Sequence, residues 1–400
     1  METCSNAEWK ERGDKVFVGT YSRYPAAMVS GSGCRLVDAD GKEYLDFLSG
    51  IAVCILGHCH PAVSAAIAAQ ASRLVHVSNL YYTEPQVRLA EMLVANSFAD
   101  KVFFCNSGAE ANEAAIKLAR IAGGAGRYQV ISLSGSFHGR TLATVAATGQ
   151  SKFHKGFEPL PEGFVHAPFG DLDGLAGLIS EKTCAVLCEP MQGEGGVRPL
   201  DGAYLRGIRE LCDRHRLLLI FDEIQTGMGR TGTLFAYQQL GVTPDIITLA
   251  KGLGNGLPIG AMMARAETAA AFTPGTHAST FGGNPVASAA AVATMEVLLA
   301  NGFLPRVEET GLYLRGRLSE LAQRFPQHIV AVRGMGLLLG AVLSESTAAQ
   351  GTAIVNRMFE RGYLLNFAGN VALRFAPPLV VERGDIDTMI AALAEVLAEL

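Results

Sequence analysis

Two short apolar runs in this sequence end in residues that can do chemistry. Leu217 to Phe221 leads straight into Asp222, and Ile246 to Leu249 leads into Ala250 and Lys251. Runs that are apolar at nearly every position read as strands covered on both faces, and in open parallel sheets ligands bind beyond the carboxyl ends of such strands. A lysine at that lip is desolvated, which lowers its pKa and makes its amine nucleophilic enough to form a Schiff base with an aldehyde cofactor. An aspartate nearby can keep a pyridine nitrogen protonated, and the cationic ring is the electron sink on which pyridoxal 5′-phosphate (PLP) chemistry depends. Lys251 and Asp222 by themselves fit a buried ion pair without a cofactor at least as well.

A phosphate site shifts that balance. Asn106-Ser107-Gly108-Ala109-Glu110 lies between a strand-like run, Val102 to Cys105, and a helix predicted from about Ser107 to Ala122, with Ala111, Ala114, Ala115, Leu118 and Ala122 as apolar positions. Small residues at a helix start let backbone N–H groups approach a phosphate, which the helix dipole also favours. Ser107 and Glu110 also read as an S-x-x-E capping box, but capping alone does not require Gly108 and Ala109 to be so small. Neither a G-x-x-x-x-G-K-[ST] loop nor a strand-coupled G-x-G-x-x-G occurs, which disfavours a nucleotide phosphate.

The elements that must position these residues alternate along the middle of the chain. Gln129 to Leu133 and Cys184 to Cys188 are further strand-like runs, and a loop runs from Gly135 to Thr141. Tyr204, Ile208, Leu211 and His215 share one face of a helix by their spacing. Apolar strands separated by amphipathic helices predict an α/β domain with a mostly parallel sheet. After about Pro285 come helices over Val286 to Leu299 and Leu304 to Phe325, strands near Ile329 to Val332, Leu337 to Val342, Leu364 to Phe367 and Val371 to Phe375, and a closing helix. The expected organisation is a large domain over 61–285 and a smaller α+β domain built from 1–60 and 286–400.

Four hundred residues exceed what one compact core usually holds, which also favours two domains. A net charge of −5 without a run of Lys or Arg leaves no footprint for nucleic acid. The longest apolar stretches are too short to span a bilayer, and Met1 to Lys15 lacks the apolar core of a signal peptide, so no membrane is expected and a cytoplasmic location is. Eight scattered cysteines without a Cys-x-x-Cys pair argue against a disulfide framework. Cys54, His58, Cys59 and His60 fall close together, but neighbours on a tight turn rarely converge on one ion, so no metal site is expected.

Several segments together resemble the class III PLP-dependent aminotransferases. They are Asn106-Ser107-Gly108-Ala109-Glu110-Ala111-Asn112-Glu113, Phe137-His138-Gly139-Arg140-Thr141, Glu189-Pro190-Met191-Gln192-Gly193-Glu194-Gly195-Gly196, Phe221-Asp222-Glu223-Ile224-Gln225-Thr226-Gly227, Ala250-Lys251-Gly252-Leu253-Gly254-Asn255-Gly256 and Thr280-Phe281-Gly282-Gly283-Asn284-Pro285. The resemblance covers nearly the whole chain. It implies PLP fold type I, with a seven-stranded type of sheet in the large domain, and a homodimer with active sites shared at the interface. It also implies that Lys251 carries the cofactor and Asp222 pairs with its ring nitrogen. Gln225 would approach the phenolic oxygen, Phe137 would stack on the ring, and Ser107, Gly108 and Ala109 would hold the phosphate with help from the partner subunit's Thr280.

The resemblance further implies transfer of the terminal amino group of N-acetylornithine, or a related N-acylated donor, to 2-oxoglutarate, giving a semialdehyde and glutamate in arginine biosynthesis. Glutamate brings two carboxylates and such a donor only one, so a shared site needs two arginines, one of them neutralised in turn. Arg140 would take the distal carboxylate of both substrates. Arg374, set among the apolar Val371, Leu373 and Phe375, would take the α-carboxylate of glutamate. Glu194 would pair with Arg374 while the donor is bound, and Tyr21 would help hold the donor's carboxylate. Ile51 stands where ornithine-specific relatives tend to carry Tyr, a pattern that tolerates an acyl group. Cys54 departs from the Asn usual in relatives. Succinylornithine, ornithine and succinyl-diaminopimelate are alternative donors; an aminomutase, racemase or decarboxylase would share the cofactor residues, and a non-catalytic PLP-binding scaffold or a nicotinamide-dependent dehydrogenase are readings of other classes.

Overall fold

The computed structural model describes residues 4–400. Its centre is a seven-stranded sheet in the order Lys101–Cys105, Gly260–Ala264, Ile246–Leu249, Leu218–Asp222, Thr183–Cys188, Gln129–Leu133, Phe164–Ala167. Gly260–Ala264 runs antiparallel to both neighbours, whereas the five strands on its other side are mutually parallel. Sequence patterning located five of the seven to within a residue at each end. It missed Phe164–Ala167 and Gly260–Ala264. The latter, Gly-Ala-Met-Met-Ala, lacks the β-branched residues that mark a strand, and its small residues serve a close approach. A Cβ on Gly260 would meet the Ser107 carbonyl oxygen at 2.5 Å and Cys105 Sγ at 2.8 Å.

Alternate strand residues feed two cores, one on each face. Leu219 and Phe221 pack with Leu205, Ile208 and Leu211 of the helix Gly202–His215, and Ile220 packs with Val130, Leu187 and the helix Gly108–Gly123. His215 lies at the exposed end of its helix although its spacing put it on the buried face, and Ala122 is likewise exposed. Asp201 caps the helix Gly202–His215 by accepting from the N–H groups of Ala203 and Tyr204.

The two ends of the chain share a sheet. Met28–Ser32, Arg35–Asp38 and Glu43–Asp46 form an antiparallel set to which Tyr363–Leu364 adds in parallel. A second, antiparallel sheet has the order Ile329–Met335, Leu338–Leu343, Ala372–Phe375, Asn366–Ala368. The expected single strand from Leu364 to Phe367 is therefore two, and the chain passes from one sheet to the other at Leu365. The helix Pro285–Leu299 packs on Pro61–Ala71 and Glu84–Ala95 and touches the turn Lys251–Gly254. It bends by 74° into Phe303–Arg324, and no single helix among the described residues is long and apolar enough to cross a membrane.

Candidate active site

A cavity of about 300 Å³ opens at the carboxyl ends of the parallel strands. Ser107, Gly108, Ala109, Phe137, Glu194, Asp222, Gln225 and Lys251 all line it, together with Val53, Glu189 and Ile224. Eight residues read from the sequence are thus brought to one space. Asp222 stands beside Thr248 of the neighbouring strand in register, and Lys251 follows three residues later. The chain turns there with φ of +40° at Lys251 and +45° at Asn255, left-handed conformations that side chains other than glycine seldom adopt. Burial lowers the Lys251 pKa; the carboxylates of Glu194, Asp222 and Glu189 pull it up and the Arg374 guanidinium pushes it down, and the net result lies below the ordinary lysine value.

Asp222 is fixed by three donors. Asn112 Nδ2 and His138 Nδ1 each donate to Oδ2 at 2.8 Å, and the Ile224 N–H donates to Oδ1 at 3.1 Å. Because a carboxylate only accepts, His138 must carry its proton on Nδ1. Asn112 in turn accepts from Thr248 Oγ1 at 2.8 Å and donates to the His138 carbonyl at 2.8 Å. All four side chains are buried.

The expected phosphate loop is built as a helix start. Ser107 is the N-cap of Gly108–Gly123 and accepts from the Glu110 N–H at 3.2 Å. The capping box expected there is only half formed, because Glu110 reaches past Ser107 to the backbone N–H of Asn106 at 2.5 Å and to its Nδ2 at 2.9 Å. An α-helix leaves its first N–H groups without internal partners, so Gly108 and Ala109 present theirs at the cavity wall. A Cβ on Gly108 would meet Ile224 Cδ1 at 2.7 Å, so only glycine lets the loop lie this close to the Asp222 strand. An anion cradle, an anchored carboxylate and a lysine lining one cavity match the phosphate, ring nitrogen and aldehyde of PLP. The residues present fit that group.

Arg374 is 1% exposed and sits behind the cavity wall. Its Nη1 donates to Glu194 Oε1 at 2.5 Å and to Gln225 Oε1 at 3.1 Å, and its Nη2 donates to Asn366 Oδ1 at 2.9 Å. The strand Ala372–Phe375 is buried at every position, so the arginine points into protein as its apolar neighbours do. Burial would raise the Glu194 pKa, but the Arg374 and Lys251 charges and hydrogen bonds from Arg374 and Gln225 outweigh it and hold the carboxyl below the usual glutamate value. Arg140 is exposed at the rim, its guanidinium 4.2 Å from the Phe153 ring centre and 5.5 Å from that of Phe137.

Three expected residues lie away from this cavity. Thr280 is exposed in a neighbouring hollow shared with Asn106, Glu110 and Phe281. Tyr21 is 73% exposed in a groove near the N-terminal helix, with the Arg23 guanidinium 5.2 Å from its ring centre. Ile51, 43% exposed, belongs to one left-handed turn in which Ser49, Gly50, Ile51 and Ala52 all have φ between +48° and +65°. Asp46 Oδ1 holds that turn by accepting from the N–H groups of Leu48 and Ser49 at 2.8 Å each, and Ser49 Oγ donates to the Ala376 carbonyl at 2.7 Å. Asp46 Oδ2 accepts from His58 Nε2 at 2.7 Å, which occupies one histidine of the Cys54–His60 cluster.

Glu189 belongs to one of the motif segments without an expected role of its own. It lines the cavity and accepts from the N–H groups of Phe137 at 3.1 Å and Gly193 at 3.3 Å, joining the Phe137 loop to the Glu194 loop. Burial, and after it the Asp222 carboxylate, push its pKa well above the ordinary glutamate value. A signal for it existed, since Glu189 follows an apolar strand as Asp222 does. Asn112 also had one, as a polar residue on the face that Ala111, Ala115 and Ala119 bury. Asn366 had none, because its role depends on which strand pairs with which.

Comparison with known proteins agrees with this geometry. The family model described as Aminotransferase class-III matches residues 19–397. The acetylornithine aminotransferase of Gloeobacter violaceus is 52% identical over 385 residues, 95% of each chain, and that of Myxococcus xanthus is 52% identical over 372 residues, 92% of each. Among solved structures, the N-acetylornithine aminotransferase of Stenotrophomonas maltophilia K279a superposes with a TM-score of 0.84 at 38% identity, covering 97% of this chain and 98% of that one. The ornithine aminotransferase of Toxoplasma gondii ME49 gives a TM-score of 0.93 at 32% identity, covering 99% and 96%. With a lysine and an anchored aspartate at the mouth of a mostly parallel sheet, a phosphate cradle beside them and a family match along almost its entire length, this chain belongs to the class III aminotransferases.

Proposed function

We propose that this chain transfers the terminal amino group of N-acetylornithine, or of a closely related N-acylated ornithine-type amine, to 2-oxoglutarate, yielding the semialdehyde and glutamate in arginine biosynthesis. The observation that carries this reading is the buried Arg374 with Glu194 on its Nη1 at the cavity wall. A site that alternates between a substrate with one carboxylate and a substrate with two needs such a removable counter-charge. The higher identity to acetylornithine aminotransferases than to an ornithine aminotransferase supports the acylated donor.

The enzyme is PLP-dependent. When bound, PLP supplies an electrophilic carbon for the amine and an electron sink for the charge left by deprotonation. Lys251 would hold it covalently, and the same amine, when free, is the group placed to carry the proton of the donor's amine-bearing carbon. Asp222 would keep the ring nitrogen protonated. Ser107, Gly108 and Ala109 would hold the phosphate, Phe137 would support the ring face and Gln225 would serve the phenolic oxygen. Arg140 takes the distal carboxylate, with Tyr21 beside it, while Ile51 leaves room for the acyl group.

The active enzyme on this reading is a homodimer with shared sites. Thr280 lines not the cavity itself but a hollow that shares Asn106 with it, and it adjoins exposed apolar residues, Leu80, Tyr81, Tyr82 and Phe281, of which Tyr82 is 95% exposed. A second copy on that face would bring its Thr280 to this chain's phosphate loop. The large domain, 61–285, and the small domain, 1–60 with 286–400, would meet along the helix Pro285–Leu299. Eight cysteines, all unpaired, suit the reducing cytoplasm.

The test is the visible absorption of the purified holoenzyme on adding N-acetylornithine and then 2-oxoglutarate. Conversion of the cofactor band by the first and its return with the second is the expected result; a band that N-acetylornithine leaves unmoved overturns the donor. Glu194→Ala should leave Arg374 charged throughout, weakening the donor half-reaction relative to the glutamate half-reaction by about tenfold or more. Single-turnover rates of the two half-reactions measure this, and an unchanged ratio rejects the exchange role of Glu194.

A further inference from the structure

Arg374 has a third partner that the Glu194 exchange leaves unexplained. Asn366 is its direct cross-strand neighbour in the register between Asn366–Ala368 and Ala372–Phe375, and Asn366 Oδ1 accepts from Arg374 Nη2 at 2.9 Å. A guanidinium carries five N–H donors in a planar fork, two on each terminal nitrogen and one on Nε. Nη1 directs its two at Glu194 and Gln225, Nη2 directs one at Asn366, and Nε is buried without a partner. Once Glu194 leaves, one N–H is free on each terminal nitrogen. One N–H on each terminal nitrogen is the number a carboxylate takes when it binds a guanidinium through both oxygens.

We propose that Asn366 is a positioning residue that sets the choice between the two substrates: it fixes the plane of the Arg374 guanidinium without neutralising it. A buried charge needs hydrogen-bond partners, and Asn366 with Gln225 supplies them while Glu194 is away. Both are neutral amides, so the arginine keeps its full charge for an incoming α-carboxylate. An aspartate at 366 would make the same contact but cancel that charge permanently, and Glu194 would have nothing to control. The inference rests on the two-substrate reading of Arg374.

The test uses the holoenzyme and two unreactive ligands followed by calorimetry: glutarate, a dicarboxylate, and N-acetylnorvaline, which has one carboxylate and no side-chain amine. Asn366→Asp should weaken glutarate by about thirtyfold or more and raise the 2-oxoglutarate KM in step. Asn366→Ala should weaken glutarate by about three- to tenfold through loss of orientation alone. N-acetylnorvaline affinity and the donor KM should stay within about threefold in both variants. Unchanged glutarate binding in Asn366→Asp, equal losses for both ligands, or a larger loss in Asn366→Ala than in Asn366→Asp would each overturn the proposal. If Asn366→Asp does not fold, Asn366→Ala against Asn366→Ser, which keeps an accepting oxygen, tests the orienting role: glutarate loss in Asn366→Ala with partial recovery in Asn366→Ser is expected, and unchanged glutarate binding in both overturns the proposal. Should wild-type protein bind glutarate but not N-acetylnorvaline, the donor reading fails, while the glutarate series still decides the role of Asn366.

Discussion

Lys251→Ala is expected to lower steady-state turnover by about ten-thousandfold or more, because on the proposed mechanism one amine serves as both the covalent anchor and the proton carrier. The phosphate cradle and Asp222 do not depend on that side chain, so the variant should still take up PLP, now without a covalent link. Borohydride reduction followed by intact mass measurement separates the two states: wild-type protein keeps the cofactor mass and the variant loses it. The positive φ at Lys251 is equally awkward for alanine, so the backbone strain is unchanged and folding should survive. Full activity in Lys251→Ala would refute the assignment. Because burial holds the Lys251 pKa below the ordinary lysine value, its reactive free amine persists to lower pH than that of an exposed lysine. Capture of PLP by the apo protein should therefore rise with pH and reach its plateau earlier than capture by a free lysine amine, which stopped-flow absorbance can follow.

Asp222→Asn is expected to cost about a hundred- to a thousandfold in kcat with substrate KM values little changed, since on the proposed mechanism it removes a preorganised charge from the ring nitrogen while nearly preserving shape. The amide oxygen can still accept from Asn112 Nδ2 and His138 Nδ1, so the network behind the strand has a route to survive. What it cannot do is hold a neighbouring nitrogen protonated. Asp222→Glu restores the charge but lengthens the side chain in a buried position fixed by three donors, so it should recover only part of the loss. A kcat for Asp222→Asn within about threefold of wild type would remove Asp222 from the chemistry. His138 and Asn112 act only through Asp222; replacing either should produce a milder loss of the same kind.

Much of this site was legible in one dimension because strand ends and helix starts are local events. Asp222 and Lys251 announced themselves as charged residues at the ends of apolar runs, and Ser107-Gly108-Ala109 as small residues between a strand and a helix. The chemistry of the site lies in backbone N–H groups, a carboxylate and an amine that such junctions expose automatically. Continuous apolar runs likewise decided the α/β character of the central sheet, since strands buried on both faces must be apolar throughout. Propensity failed for Gly260–Ala264, where close contact with the Ser107 loop selects small residues over good strand formers.

What only the tertiary structure decided is which distant residues meet. The hydrogen bonds that hold Arg374 come from Glu194, Gln225 and Asn366, two from loops in the central part and one from a paired strand near the C-terminus. No periodicity encodes that convergence, because it follows from strand register and from loops of different strands arriving at one cavity. The left-handed turn at Ser49–Ala52 is of the same kind: only Gly50 suits it intrinsically, and Ser49, Ile51 and Ala52 adopt it because Asp46 and the Ala376 carbonyl bind the turn from outside. The sequence by itself determined which groups could react, since residue type and local burial are written along the chain. The fold alone decided their partners and their charge balance, since those depend on contacts between segments far apart in the chain, as Ser49 and Ala376 are at 327 residues.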